Sequence, residues 1–439
     1  MGTVAPWQMA HLFFLRRATS LELVVEPLDV CDMRSARDAL TEPVGAAPAR
    51  LRTADEVFDW LLRDTRDERF IEHIVAGLGT RLRRAGLSVA RISLHLRTHH
   101  PEWRGATLLW RTGLDAAEVL LRDYGVVTSD LYLSSPVHDI DDGTQEVRRR
   151  LWQIAPDARD YPILGELRSE GCTDYVVWPI LFTLNQRHVI SFASDSASGF
   201  ADDEIDILRG LLPLIALVTE VRLKNILART FLETYVGPLA ATRILNGDTR
   251  RGFGSSIEAA TMLCDLRGFT ELSANLPRDR IIELLDAYFD AIAEPIERHG
   301  GEILKFLGDG LLAIFPLAQG ESCRNLLRAV REGQQALDAL NVDNRRKGLP
   351  ELRQGVGVHL GEVSYGNIGS RRRLDFTVIG PVVNIAARLQ DMTRDGAHPV
   401  LVSGAFAERC GADEGLERLG AFPIRGIPEA IEVYALKPS

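Results

Sequence analysis

Six side chains in the C-terminal half of the sequence are of the types that do metal and phosphate chemistry: Asp265, Lys305, Asp309, Asp375, Asn384 and Arg388. Asp265 ends the apolar run Ala259–Cys264 and is followed by Leu-Arg-Gly-Phe-Thr. A carboxylate at a strand end beside a glycine turn suits a hard cation, and the amides of such a loop meet phosphate. Asp309 lies between Gly308 and Gly310 in the stretch Gly300–Pro316, GGEILKFLGDGLLAIFP. The flanking runs Ile303–Leu307 and Leu311–Phe315 read as a hairpin whose glycine turn lets a ligand approach the backbone. Lys305 falls inside the first strand, where period-two alternation puts it on the face of Ile303 and Leu307. Alone, Lys305 reads as an edge residue and Asp309 as an ordinary turn aspartate. Their company changes both readings. Two aspartates in a glycine-rich setting suit two divalent ions clamping a triphosphate. Asp375 precedes Val383-Asn384-Ile-Ala-Ala-Arg388, and the i, i+4 spacing puts Asn384 and Arg388 on one helix face, where they could address a ribose and a phosphate together.

The elements that must position these groups alternate regularly from Ile257 onward. A buried strand at Ala259–Cys264 leads to a helix at Arg278–His299, then the hairpin, then a helix at Glu321–Leu340. Strands follow at Gly355–His359 and Phe376–Ile379, a helix at Val383–Met392, and strands at Val400–Val402 and Ile431–Leu436. Strand-helix-strand-strand-helix-strand is the ferredoxin-like order, an α+β fold.

Upstream the chain differs. Residues 1–50 read as a poorly ordered lead-in. Thr53–Ala85 reads as a helix with a capping box at Thr53-Ala-Asp-Glu. Strands are expected at Ser88–Leu96, Ala106–Trp110, Asp174–Leu181 and His188–Ala193, and a helix begins at Asp202. Residues 51–212 thus form an α+β regulatory domain, and residues 213–256 a helical connector and loop. The connector carries the imperfect apolar stripe Ile215, Val218, Leu223, Ile226, Leu227 and Phe231, and Gly237-Pro238 ends it. His95, His99 and His100 raise the question of a haem or metal site. Without an acidic or cysteine partner at ligand spacing, solvated loop histidines are the better reading.

With 439 residues, 46% hydrophobic and 26% charged, the chain has the composition of a soluble globular protein of two or three domains. A net charge of −10 argues against broad nucleic-acid binding. Five cysteines without paired spacing argue against disulfides and structural zinc and for a cytoplasmic location. No apolar run reaches the roughly 20 residues of a membrane span, and no export signal is expected.

Two resemblances follow from these motifs. The segment Tyr175–Phe200, with VVWPI, HVISFAS and then SGF-x-DDEI opening a helix, resembles a GAF-type sensor domain. Residues 257–439 resemble the catalytic domain of class III nucleotide cyclases through CDLRGFT, GGEILKFLGDG, GVGVHLGEVSYGNIGS and LDFTVIGPVVNIAARL. That second resemblance implies two ions, Mg²⁺ or Mn²⁺, on Asp265 and Asp309 with help from the Leu266 carbonyl. It implies triphosphate contacts from the backbone of Phe269 and Thr270, and base reading by Lys305 and Asp375. Asn384 would orient the ribose and Arg388 would stabilise the transition state. Each site would lie across a homodimer, with the metal aspartates from one chain and the other four residues from its partner. A lysine donor and an aspartate acceptor match the edge of adenine and mispair with guanine, so the expected reaction is ATP to cyclic AMP, under an N-terminal regulator of unknown identity. A guanylate cyclase and a non-catalytic nucleotide-binding regulator are the alternatives. Two departures stand out: Pro381 replaces an acidic residue common in relatives, and Arg425 stands where a triphosphate lysine is expected. Arginine serves phosphate as well, so Arg425 is included as a substrate residue.

Overall fold

The computed structural model describes residues 55–154, 160–252, 254–317, 320–395, 397–411 and 415–437. The expected lead-in at 1–50 and Thr53 of the expected capping box lie outside these residues. Among the described residues no helix is long and apolar enough to cross a membrane.

The first expected helix is two. Residues 55–64 are helical, with a wide final turn at Trp60–Asp64, and α1 then runs over Ile71–Arg84. The break has a partner from far along the chain: the Arg222 guanidinium donates to the carbonyls of Thr65 and Glu68. Six antiparallel strands follow: β1 (Val89–Arg97), β2 (Gly105–Arg111), β3 (Glu118–Arg122), β4 (Val147–Arg150), β5 (Asp174–Leu181) and β6 (Arg187–Ser194), in sheet order β3-β2-β1-β6-β5-β4. β3 and β4 were not expected. Every residue of β3 is exposed and β4 reads Val-Arg-Arg-Arg, so neither shows an apolar alternation. The helices α2 (Pro136–Asp141) and α3 (Ile163–Ser169) cover one sheet face, where Ile140, Leu164 and Leu167 pack on Tyr175, Val177 and Val189. On the other face Ile92, Leu94, Trp110, Trp178 and Phe192 pack against α1 and the long helix α4 (Asp202–Val236).

Helix α4 spans Asp202–Val236, 35 residues without interruption. The closing helix of the first domain and the connector, read as separate segments, are one helix. Glu204 anchors its start, accepting from the Ala201 amide at 2.8 Å and the Ser88 amide at 2.9 Å. Gly237 ends it at φ 88°, and the short α5 (Pro238–Leu245) follows.

The second sheet holds β7 (Gly254–Leu266), β8 (Glu302–Leu307), β9 (Gly310–Pro316), β10 (Gln354–Gly369), β11 (Leu374–Ile379), β12 (Val400–Ser403), β13 (Leu416–Phe422) and β14 (Ile431–Leu436). Its order is β13-β14-β12-β10-β7-β9-β8, with β11 added to the far end of β10. After β7 come α6 (Phe269–Asn275) and α7 (Arg278–Arg298), and α8 (Ser322–Arg346) joins β9 to β10. The expected strand-helix-strand-strand-helix-strand order is therefore β7-α7-β8-β9-α8-β10. Helices α7 and α8 cover one face through Tyr288, Ile292, Leu326 and Val330. α5 and α9 (Pro381–Met392) cover the other through Ala240, Val382, Ile385 and Leu389. Pro381 opens α9 at a first-turn position where no amide is missed. α10 (Gly404–Cys410) and β13 were not expected.

The alternation read for Lys305 is corrected. The β8–β9 register shifts between Ile303 and Lys305, so Leu304 is an extra residue. Ile303 packs towards α7 and α8, whereas Lys305, opposite Leu312, turns to the other face.

Candidate active site

Asp265 is the penultimate residue of β7 and pairs with Gly310, the first residue of β9. Gly308 takes φ 72° at the first position of the two-residue turn, which leaves Asp309 at the tip as expected. The Leu266 amide donates to the Asp309 carbonyl at 3.3 Å and fixes the turn against the end of β7. A side chain at Gly310 would sit 2.4 Å from the Cys264 carbonyl, so only glycine lets the two strands close beside Asp265. Partial burial first, and then the charge of Asp265, hold the Asp309 carboxyl above the usual carboxylate range. A cation beside the Asp309 carboxyl would relieve that repulsion.

Lys305 and Asp375 come together from strands 70 residues apart in sequence: Lys305 Nζ donates to Asp375 Oδ2 at 2.9 Å. The hydrogen bond and charge of Lys305 lower the Asp375 pKa. Both groups stay partly open to solvent, at 32% and 47%. Phe306, Leu307, Leu374 and Ile379, on the same two strands, expose apolar side chains.

Asn384 and Arg388 are exposed on α9 one turn apart, as the spacing required. Arg388 Nη1 donates to Asp391 Oδ2 at 3.3 Å. Phe269 and Thr270 open α6 behind Gly268, whose φ is 73°. The first amides of a helix have no intrahelical acceptor, so these two are free for a ligand, while the Phe269 ring packs on the core. Arg425 is exposed after Ile424 and makes no side-chain hydrogen bond or ion pair among the described residues.

The sequence reading missed the support of Asp265. Gln390 Nε2 reaches Asp265 Oδ2 at 3.5 Å, and Arg267 Nη1 lies 3.8 Å from the same oxygen. Arg267 Nη2 also donates to the Gln390 carbonyl at 2.8 Å and to Thr393. The end of β7 that carries Asp265 is thereby tied to the helix that carries Asn384 and Arg388. The available signal was the glycine alternation in GVGVHLG. A side chain at Gly357 would meet the Ala386 carbonyl at 2.2 Å, so α9 lies directly on the backbone of β10. Tyr288 fills the space beneath, its hydroxyl donating to Gln354 Oε1 at 3.4 Å.

Comparison with known proteins bears on the same segment. Residues 255–438 match the family model described as "Adenylate and Guanylate cyclase catalytic domain". The chain is 32% identical over 179 residues to adenylate cyclase 1 of Rhizobium meliloti, covering 40% of this chain and 27% of that one. It is 31% identical over 193 residues to an adenylate cyclase of Anabaena cylindrica, covering 42% and 38%. The chain thus spans between about a quarter and two fifths of the length of these relatives. The crystal structure of the adenylyl cyclase CyaB from P. aeruginosa aligns at 26% identity and a TM-score of 0.38, over 43% of this chain and 97% of that one. The family match and the two relatives support a class III adenylate/guanylate cyclase catalytic domain over residues 255–438.

Proposed function

We propose that this protein is an adenylate cyclase, converting ATP into 3′,5′-cyclic AMP and pyrophosphate at sites formed between two copies of the chain. The observation that carries the choice of base is the Lys305–Asp375 pair at 2.9 Å. It sets a donor and an acceptor side by side, matching the N1 acceptor and 6-amino donor of adenine. Guanine carries a donor at N1 and an acceptor at O6, so it would mispair with both groups. Each mispaired polar group costs about 1–3 kcal/mol.

Asp265 and Asp309, with the Leu266 carbonyl, would hold two divalent ions, Mg²⁺ or Mn²⁺, whose chemistry is to neutralise the triphosphate and acidify the ribose 3′-hydroxyl. The free amides of Phe269 and Thr270 would take triphosphate oxygens, with Arg425 as a further phosphate contact. Asn384 would orient the ribose so that its 3′-oxygen lies in line with the α-phosphorus. The reaction forms the 3′-oxygen–phosphorus bond and breaks the bond to pyrophosphate. Arg388 would leave Asp391 and meet the charge that develops at the α-phosphate.

The dimer reading is supported by exposed apolar side chains: Phe306, Leu307, Leu374 and Ile379 on β8 and β11, and Leu217, Val221, Ile226 and Tyr235 along α4. In a head-to-tail pair, one chain gives Asp265 and Asp309 while its partner gives Lys305, Asp375, Asn384 and Arg388. The N-terminal region is proposed as a GAF-like regulatory domain, supported by its six-stranded antiparallel sheet with helices on both faces. The cytoplasm, where ATP is made available, is the proposed location. Purified protein given ATP or GTP with Mg²⁺ or Mn²⁺ tests the reading. Cyclic AMP should form from ATP with a clear preference over GTP, and absence of any cyclic nucleotide would overturn it.

A further inference from the structure

On the sheet face opposite α1 and α4, strands β1, β2, β3 and β6 and residues 126–141 line a cavity of about 480 Å³. That is the size of a site for a small organic molecule. Alternation along β1 sends Arg91, Ser93, His95 and Arg97 to the cavity side while Ile92 and Leu94 enter the core. Apolar side chains, among them Leu109, Leu120, Val126 and Leu131, supply much of the remaining wall.

Five arginines line the cavity, and three are answered by carboxylates. Arg91 meets Glu166 and Glu170, both at 2.7 Å. Arg111 meets Glu170 at 2.9 Å and Glu118 at 3.1 Å, and Arg97 meets Asp141. Arg104 and Arg122 have no carboxylate partner among the described residues. Arg104 Nε is buried with no hydrogen-bond partner, and Arg122 Nε donates to Thr107 Oγ1 at 3.4 Å. An uncompensated buried donor is costly, and a ligand acceptor removes that cost.

One histidine points the same way. Thr107 bridges Arg122 to His95 Nδ1 at 3.1 Å, and burial followed by the charges of Arg122 and Arg91 brings the His95 pKa down to about 4, so it stands neutral. His188 belongs to the other face, sharing the parity of Ile190 and Phe192 and packing on Phe182 at 4.1 Å. The cavity therefore offers an unanswered donor and positive charge on one side and apolar surface on the other.

We propose that this cavity binds a small organic anion, a carboxylate or phosphate ester on an apolar body, with Arg104 and Arg122 taking the charged group. The inference rests on the regulatory role proposed for the N-terminal region and names its ligand class. Its test reads binding alone, so failure of the cyclase reading would leave it untouched.

Isothermal titration of the full chain would compare naphthyl phosphate, naphthaleneacetate and the neutral naphthalenemethanol, three ligands with the same body. At least one anion should bind roughly tenfold or more tightly than the neutral analogue, and the stronger of the two identifies the headgroup. Arg104→Ala combined with Arg122→Ala should remove that advantage, while Arg122→Lys keeps most of it. Circular dichroism of each variant establishes that it is folded. Leu109→Trp, which fills the apolar side, should weaken all three ligands together. Equal binding of the neutral analogue, an undiminished double variant, or no binding of either anion would overturn the proposal.

Discussion

The two halves of this molecule treat polar groups in opposite ways. In the C-terminal sheet the reactive side chains sit at strand ends, in a hairpin turn and on the open face of a helix, where Asn384, Arg388 and Arg425 are exposed. In the N-terminal sheet they line a cavity, and Arg91 is almost wholly buried. The first arrangement leaves its groups open to solvent, as the proposed site between two copies requires. The second answers three of its five arginines with carboxylates and leaves Arg104 and Arg122 without one among the described residues. Under the functions proposed above, chemistry between copies falls on a surface and recognition of a small molecule in an interior. Removing groups from the two halves should therefore have different consequences.

The largest effect belongs to the carboxylate pair. Asp265→Ala or Asp309→Ala should each lower cyclic AMP formation on the order of 10³-fold, since several kcal/mol of transition-state stabilisation go with the ions. The thermal midpoint should hold or rise, because a repelling pair is relieved. A variant retaining near-normal turnover would remove the two carboxylates from the mechanism.

Arg388→Ala should cost about 10²-fold, as loss of a transition-state donor does. Mixing it with Asp265→Ala chains tests whether the surface site needs a partner. Random pairing gives half mixed dimers, each with one intact site, so activity should recover to roughly a quarter of wild type. Mixed dimers that form and stay inactive would return the whole site to a single chain.

Lys305→Glu together with Asp375→Cys should shift the ATP-to-GTP ratio by about tenfold or more, because two base contacts change sense. Unchanged selectivity in initial rates would mean that other residues read the base.

The smallest effect is on acid stability, and it should appear mainly in the N-terminal half. His95 and His188 there, and His359 in the C-terminal half, are each held near 4 by burial first. The unfolded chain takes the proton near 6.5, so the stability these neutral groups confer is complete above about pH 6.5 and is lost as pH falls toward 4, on the order of 3 kcal/mol per histidine. All six tryptophans lie at or before residue 178, so tryptophan fluorescence follows the N-terminal half alone. Its unfolding midpoint should fall faster over that range than the backbone signal of the whole chain, and His188→Gln should flatten the slope. Parallel slopes would deny the two halves their difference.

How far each half was legible follows from the same contrast. Asp265 could be placed at a strand end and Asp309 at a hairpin tip because glycine turns mark both positions, whereas Lys305 and Asp375 were paired only through the resemblance. The i, i+4 spacing likewise placed Asn384 and Arg388 on one face. The bulge at Leu304 could not be read, since one extra residue leaves no mark on composition while moving Lys305 to the other face. Gln390 and Arg267 were missed because their link to Asp265 depends on how α9 settles on Gly357. The cavity was illegible for a stronger reason. Its arginines come from three strands and the loop before β2 at no fixed offset, and β3 carries no apolar alternation.

Helix α4 has a consequence of a different kind. A single helix of 35 residues is about 52 Å long and behaves as a stiff shaft between the two sheets. Its angular setting is counted in residues. One residue inserted near Asn225 would turn everything beyond it by about 100° and advance it by about 1.5 Å, whereas seven would restore the angle to within about 20°. Chimeras joining a foreign domain to the segment beyond α4 would therefore be governed by rotational phase, with workable junctions recurring at about every seventh residue.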